Sequence, residues 1–481
     1  MNKFRTSKYL QVIPREKDYA VYHSLFGNLC LLDFDGYNLL REFDKARSSN
    51  EVLKSFSKYD PILLINFINT LLSKGFLTID GFDEYVLIEE DYQRCKKHFH
   101  SGYLIRALQL VMTNKCNRSC DYCFVKTMYN SDERAILEQS PKNVNMSFET
   151  ASIAVERLIE ILRKNGNREL YIEFFGGEPL LNWQVIKSIL ETFKNQANGV
   201  ALHYSITTNG SLITPKMADI FKKYNVTVTM SIGPFDFKEQ TTCRKGNSNA
   251  TQILRILKDT GNWVTFNSVI SKETMDEFDG YTLVEKAKDY NVTMVGLILD
   301  LDLAFYESDA KRETALQKLW ETYSFGMQKG IPIVGYWYQI FQQIIGKQAT
   351  RFSSGYKTCP ATGCKLSIEP EGHVFICKCC SAYMGHITDL DIVLHSPQYE
   401  AYALKAYYNA PECKGCEVEG FCSGVCMGAL EKKYNKIDTI ESGTCTIYKK
   451  ITRKLIENIR THEILTLPLV QHERKQLHVC G

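Results

Sequence analysis

The sequence predicts an α/β protein. Its centre is a partial (β/α)6 barrel over residues 104–335, preceded by a winged-helix-like unit (1–95) and followed by a cysteine-rich segment (350–455) and a tail (456–481). Three observations predict this. From Leu104 onward, six strand-like runs alternate with helix-like ones. Ahead of them stand two short strand-like runs, three helical patterns and a further strand-like run. Ten of the 17 cysteines fall between Cys359 and Cys445, a density that random usage would not produce.

In the N-terminal unit, Tyr19–His23 and Leu29–Leu32 read as strands around a turn at Phe26-Gly27-Asn28. A helix from about Tyr37 to Phe43 puts Leu39, Leu40 and Phe43 on one face, and Ser49 or Asn50 can cap a second through Phe56. A third begins at Pro61, favoured in a first turn, and ends at Gly75; Phe76–Ile79 then forms a wing strand. The third helix, Ile62 to Lys74, carries one basic residue, too few for phosphate contacts of a DNA reader. A packing unit without a ligand is the plain alternative.

The barrel strands are Ala107–Thr113, Leu170–Phe175, Ala201–Thr207, Val226–Ile232, Trp263–Ile270 and Val292–Leu299. Helices between them include Phe148–Lys164, Trp183–Lys194, Pro215–Tyr224 and Ala250–Thr260, and Ser308–Lys329 is a long helix beyond the last strand. Strand–helix alternation implies a parallel sheet, and six units fall short of the eight that close a barrel. The tail from about Thr466 is polar.

Composition excludes several classes. The hydrophobic fraction of 44% and charged fraction of 23% are those of an ordinary globular chain, and a net charge of +3 gives no argument for nucleic acid or membrane. The start lacks the apolar stretch of a signal peptide, and the most apolar window, Pro61–Leu72, is too short to span a bilayer. A cytoplasmic location follows, where a reducing milieu favours metal ligation over disulfides.

The chemistry lies in ordered motifs. Cys116, Cys120 and Cys123 form a Cys-x3-Cys-x2-Cys loop just after the first barrel strand, at the C-terminal edge where parallel α/β folds place their sites. Three thiolates leave one iron of a [4Fe–4S] cube without a protein ligand; a zinc knuckle with a distant fourth ligand is the alternative. Gly176-Gly177-Glu178-Pro179 follows the second strand, Thr207-Thr208-Asn209-Gly210 the third, and Ser231-Ile232-Gly233-Pro234 the fourth, with Arg244 beyond.

Together these resemble the radical S-adenosylmethionine (SAM) superfamily. The resemblance implies the following site. The open iron chelates SAM, and an electron from the cluster cleaves it to a 5′-deoxyadenosyl radical. The backbone of Gly176, Gly177, Glu178 and Pro179 meets the methionine amino group, Thr207 and Asn209 lie near the ribose, Ser231 and Arg244 hold the carboxylate, and Tyr122 lies against adenine. The sequence departs from the family pattern in lacking an Asp after Ile232 and in reading Gln240-Thr241 where a His-Asp pair is usual.

Downstream, Cys359-x12-Gly372-x4-Cys377 and Cys413-x2-Cys416-x5-Cys422-x3-Cys426-x18-Cys445 resemble the SPASM extension of that superfamily, with Cys364 as an eighth thiol. The resemblance implies two auxiliary [4Fe–4S] clusters, three in all. Cys359, Cys364, Cys377 and Cys426 would hold one; Cys413, Cys416, Cys422 and Cys445 would hold the other. Two structural zinc sites are the alternative. Six cysteines remain: Cys30 reads as core, Cys379 and Cys380 closely follow a ligand and read as bystanders that could exchange with it, Cys480 reads as an exposed thiol or part of a disordered end, and Cys95 and Cys243 carry no assignment.

The whole pattern resembles a radical SAM/SPASM maturase of ribosomally made peptides. That implies hydrogen abstraction and cross-linking (thioether, C–C or C–O) in a precursor peptide bound through its leader, and a flavodoxin- or ferredoxin-like electron donor. A sulfatase-maturase reading is weakened by Lys378, which stands where that group carries an acidic base. A winged-helix regulator sensing an iron–sulfur cluster is the reading from another class.

Overall fold

The computed structural model describes residues 2–120, 123, 144–237, 249–272, 274–301, 306, 308–346, 357–460 and 465–467. The N-terminal region opens with β1 (Phe4–Thr6), β2 (Leu10–Pro14), β3 (Tyr19–His23) and β4 (Gly27–Leu32). Then come α1 (Phe34–Arg41), α2 (Ser49–Ser55), α3 (Pro61–Ser73), β5 (Leu77–Ile79) and α4 (Tyr85–Lys96). The cap of α2 is Ser48, one residue earlier than expected: its hydroxyl accepts from Glu51 N while the Glu51 carboxylate returns to Ser48 N. Asp60 caps α3, with Pro61 in the first turn. This region has its own core of Val21, Leu39, Phe43, Leu64, Ile68, Leu71 and Phe76.

The central sheet contains β6 (Ala107–Val111), β7 (Glu169–Phe175), β9 (Val200–Thr208), β10 (Thr227–Ser231), β11 (Val264–Ile270) and β12 (Met294–Leu299), each parallel to the next. A two-residue strand, β8 (Gln196–Ala197), pairs antiparallel with β9. Between the six strands run α5 (Phe148–Lys164), α6 (Trp183–Phe193), α7 (Pro215–Lys223), α8 (Ala250–Asp259) and α9 (Gly280–Asp289). The spatial order of these strands follows the chain. A doubly wound sheet would reverse at a switch point, so this is the barrel-type winding. After α10 (Asp309–Lys329), β13 (Ile333–Val334) extends the sheet beside β12, and α11 (Tyr336–Ile344) follows.

The helices form because each has a cap and an apolar stripe. In α5 the Ser147 hydroxyl accepts from Thr150 N, and Ala151, Ala154, Val155, Leu158, Ile159 and Leu162 recur on one buried face. The strands alternate to match. In β7, Leu170, Ile172 and Phe174 are sealed against the helices while Tyr171, Glu173 and Phe175 stay partly accessible. In β9 and β10, Ser205, Thr207, Thr229 and Ser231 take the accessible side. The concave face is therefore polar and reachable, unlike the packed apolar interior of a closed eight-stranded barrel.

On the other side of β6, β14 (Lys365–Ile368) runs parallel to it, and β15 (His373–Phe375) and β16 (Gly385–His386) continue antiparallel. The cysteine-rich segment thus hangs from the same sheet. It goes on through α12 (Leu390–Leu394), α13 (Pro397–Leu404), α14 (Met427–Tyr434) and α15 (Ser442–Glu457). Beyond it the chain returns to the N-terminal region, where β17 (Leu465–Leu467) lies parallel to β4. A polar tail was expected there; three apolar or β-branched residues suffice for a strand once a sheet edge is available. Among the described residues no helix is long and apolar enough to cross a membrane.

Candidate functional site

The thiol loop leaves the C-terminal end of β6. Its backbone is pinned to the Gly-Gly-Glu-Pro turn: Gly177 N donates to Thr113 O at 2.9 Å and Glu178 N to Lys115 O at 2.8 Å. A Cβ on Gly177 would lie 2.1 Å from Lys115 O and 3.1 Å from Cys116 N, so only glycine allows this approach. Cys116 is exposed and Cys120 and Cys123 half-buried, and the three thiols lie within electrostatic reach of one another. Arg118 N donates to Cys116 Sγ at 3.4 Å.

Glu178 is turned inward. Its carboxylate accepts from the Thr208 hydroxyl at 2.6 Å, Asn209 N at 2.9 Å and Leu180 N at 3.1 Å, tying the second-strand turn to the third. Burial raises its pKa against the pull of those donors. Pro179 opens a short 3-10 turn after it. Asn209 reaches back to the thiol loop, donating to Asn117 Oδ1 at 2.9 Å. Thr207, on the concave face, donates to Glu173 Oε1 at 3.1 Å. Ser231 ends β10 in register with Asn267 on β11. Tyr122 and Arg244 lie outside the described residues.

Ser268, which sequence reasoning missed, has a buried hydroxyl with no hydrogen-bond partner among the described residues. It lies beside Gly233 in the turn after β10. A serine on a strand gives no sequence signal; only the sheet register brings it to the site.

The cysteine-rich segment gathers two further thiol sets. Cys413, Cys416, Cys422 and Cys445 sense one another's charge, and each is half-buried. Cys359, Cys377 and Cys426 do the same. Cys379, read from the sequence as a bystander, stands near this second trio, within electrostatic reach of Cys377 and Cys426. Cys364 is fully buried with its thiol directed at Thr362 O, 3.9 Å away. Cys30 is sealed in β4, where burial pushes its thiol up to about 11. A mononuclear site is not outlined: among the described residues no three His, Cys, Asp or Glu side chains converge on one ion.

Buried charge fixes turns inside this segment, and a backbone amide ties it to the barrel. Lys378 pairs with Glu369 at 2.9 Å, both side chains essentially inaccessible. Lys378 N donates to Gln109 Oε1 at 3.0 Å, and Gln109 Nε2 to Glu173 Oε2 at 2.8 Å, so a polar chain crosses the concave face from Cys377 to Thr207. Burial lowers Lys378 well below an ordinary ammonium, while the charges of Cys379 and Cys123 pull it up. One lysine thus lies between the first thiol loop and the cysteine-rich segment. Lys357 donates to Glu419 O, and burial brings its ammonium down to about 8.

Residues 110–281 match the family model described as the Radical SAM superfamily. A protein described as radical SAM cyclopropyl synthase TigE, from Paramaledivibacter caminithermalis, is 39% identical over 454 residues, 94% of this chain and 95% of that one. The chain belongs to the radical SAM superfamily. Among solved structures it resembles native anSMEcpe with bound AdoMet (TM-score 0.56, 19% identity, 73% of this chain and all of that one). It also resembles Streptococcus suis SuiB bound to precursor peptide SuiA (TM-score 0.51, 15% identity, 92% of this chain and 99% of that one). At these identities the likeness is one of fold. Membership in the radical SAM family implies a [4Fe–4S] cluster and SAM, and this chain's residues fit them. Three neighbouring thiols stand at a strand end, beside a glycine turn whose backbone approaches the thiol loop with no Cβ between them.

Proposed function

We propose that this protein is a radical SAM maturase that closes a carbon–carbon bond, as a cyclopropane ring, in a ribosomally made peptide. The observation that carries the reading is the 39% identity, across nearly the whole of both chains, to a protein described as a cyclopropyl synthase. Ring closure removes two hydrogens: one as an atom, the other as a proton and an electron as the new bond forms. The peptide part of the reading is supported by the likeness to SuiB, a structure that holds its precursor peptide; its 92% coverage is too large to leave out the N-terminal region.

In this reading Cys116, Cys120 and Cys123 hold the SAM-binding cluster. Cys413, Cys416, Cys422 and Cys445 hold one auxiliary cluster, and Cys359, Cys377 and Cys426 hold three corners of another. When bound, SAM and its cluster supply hydrogen-atom abstraction from an unactivated carbon. The chain's part is positioning. The Gly176-Gly177 backbone, Pro179, Thr207, Asn209 and Ser231 line the SAM site, and Glu178 ties the Gly-Gly-Glu-Pro turn to the turn bearing Asn209. The polar concave face orients the substrate, and the Lys378–Glu369 pair keeps its inner end rigid.

Residues 1–95 serve as the leader-reading unit, 104–335 as the catalytic barrel, 350–455 as the SPASM segment and 456–481 as a tail. A leader strand can add to the outer edge of β2, which among the described residues pairs with β3 alone and ends its sheet opposite β17. The outer face of α3 exposes Ile62 and Ile65, chemistry that suits a peptide better than DNA. A small ferredoxin- or flavodoxin-like protein would deliver the electrons.

The test is anaerobic reconstitution, then SAM, dithionite and a candidate precursor peptide. The reading expects about twelve irons per chain, the sum of three four-iron sets. It also expects 5′-deoxyadenosine and a peptide lighter by two hydrogens whose thiols remain free. A peptide aldehyde would instead favour formylglycine formation, and zinc in place of iron would sink both readings.

A further inference from the structure

Three thiolates leave one iron of a cube without a protein ligand, and two cysteines compete for the fourth place beside Cys359, Cys377 and Cys426. Cys364 has the spacing that resembles the SPASM pattern. Cys379 has the position.

Cys377-Lys378-Cys379-Cys380 forms a turn in which Cys380 N donates to Cys377 O at 3.0 Å. Lys378 points to Glu369, and the thiols on either side of it come together on the other side. Cys379 lies within electrostatic reach of Cys377 and Cys426. Tyr336, at the start of α11, lies within electrostatic reach of Cys359, Cys377, Cys426 and Cys379. Gly428, in the first turn of α14, closes on the Cys379 peptide: a Cβ there would lie 1.8 Å from Cys379 O, so glycine alone lets the segment after Cys426 seat Cys379 beside it.

Accessibility separates the two candidates. Cys359, Cys377, Cys379 and Cys426 all keep part of their surface reachable, whereas Cys364 is 0% exposed. The Cys364 thiol is directed at Thr362 O, in the turn where the Tyr399 hydroxyl donates to Gly363 O at 3.0 Å. A sulfur that binds a metal must face a space the metal can enter, and no part of Cys364 is reachable from outside.

We propose that Cys379, rather than Cys364, is the fourth thiolate of the set formed with Cys359, Cys377 and Cys426. The proposal rests on the iron–sulfur reading above and deepens it. A set closed by four protein thiolates has no iron left for a substrate sulfur, so this cluster carries electrons and does not bind the peptide.

The test uses the full chain reconstituted anaerobically, as wild type and as Cys379→Ala, Cys379→Ser, Cys364→Ala and Cys380→Ala. It reads iron and sulfide per chain and the electron paramagnetic resonance spectrum after reduction. Cys379→Ala is expected to lose up to about a third of the iron, one four-iron set in three, or to shift one cluster's signal. Cys364→Ala and Cys380→Ala are expected to match wild type. If Cys379→Ala does not fold, Cys379→Ser, which keeps an oxygen ligand, is expected to retain iron with one signal shifted. An unchanged spectrum in a folded Cys379 variant, or loss of a cluster in Cys364→Ala alone, overturns the proposal. Wild type loaded with zinc would overturn the iron–sulfur reading instead, and that result is visible before any variant is made.

Discussion

The barrel mouth and the cysteine-rich segment both hold thiols in turns, but they hold them by different means. At the mouth the loop is fixed backbone to backbone, with Gly177 and Glu178 donating to Thr113 and Lys115 across strand ends that the sheet has already aligned. The cysteine-rich segment has few strand residues to align anything. Its turns are satisfied by buried side chains: Lys378 with Glu369, Lys357 on Glu419 O, the Ser423 hydroxyl accepting from Cys359 N at 2.7 Å, and Glu419 accepting from Gly415 N at 2.8 Å. Buried backbone groups must find partners, and where no ladder supplies them side chains do. The mouth should therefore be sensitive to added volume and the segment to lost charge.

The sharpest break is expected at the mouth. Gly177→Ala forces a methyl against the Lys115 carbonyl, a backbone atom that cannot rotate away. Overpacking of this kind costs about 3 kcal/mol, and the thiol loop must move. SAM cleavage should fall below detection in a 5′-deoxyadenosine assay; normal turnover would show that the loop is not held by this contact.

Next comes charge in the cysteine-rich segment. Glu369→Gln leaves the Lys378 ammonium buried without its carboxylate, which should destabilise the chain by about 3–5 kcal/mol in denaturant unfolding. Replacing both, as Glu369→Leu with Lys378→Met, should recover most of that loss. If the double variant is no better than the single one, the pair does more than satisfy itself.

A middle effect is expected at Glu178. Gln keeps one acceptor oxygen but turns an amide toward the donors that the carboxylate now receives, at a cost of about 1.5–3 kcal/mol. SAM affinity should weaken with it, because the turn bearing Asn209 loosens; unaltered SAM binding would separate the two turns.

The smallest effect lies in neither region. Asp83 accepts from Lys8 at 2.7 Å and Tyr9 at 2.9 Å, and the Lys8 hydrogen bond holds its carboxyl down at about 2. A depressed carboxylate stabilises the folded chain above its ordinary value and loses that contribution as pH falls through the depressed one. Asp83→Asn should cost less than about 1 kcal/mol near neutrality, since the pair is half-exposed. The difference from wild type in urea midpoint should narrow below pH 3.8. A gap that widens in acid would contradict the assignment.

Much of the fold was legible because local signals agreed. Helix α5 kept the expected bounds, Phe148–Lys164, to the residue, and the barrel strands fell within two residues at either end. The two-residue strands β8, β13 and β16, and the three-residue strands β1 and β17, carry too little alternation to be read. They exist because a sheet edge is present to pair with. The same holds at the site. The motifs announced the first thiol loop and its glycine turn, while Ser268 and Tyr336 carry no signal in their neighbours.

By itself, the sequence determined the parallel α/β winding and the order of the motifs along it. Those are properties of hydrophobic period, turn chemistry and residue type, all written locally. Only the tertiary structure decided that the concave face is polar, that Lys378 comes within electrostatic reach of the first thiol loop, and that Cys379 stands near Cys377 and Cys426 while Cys364 is sealed at the start of β14. Which sulfurs meet depends on how a turn, a strand end and a helix start pack together across long sequence separations, and spacing along the chain does not encode that.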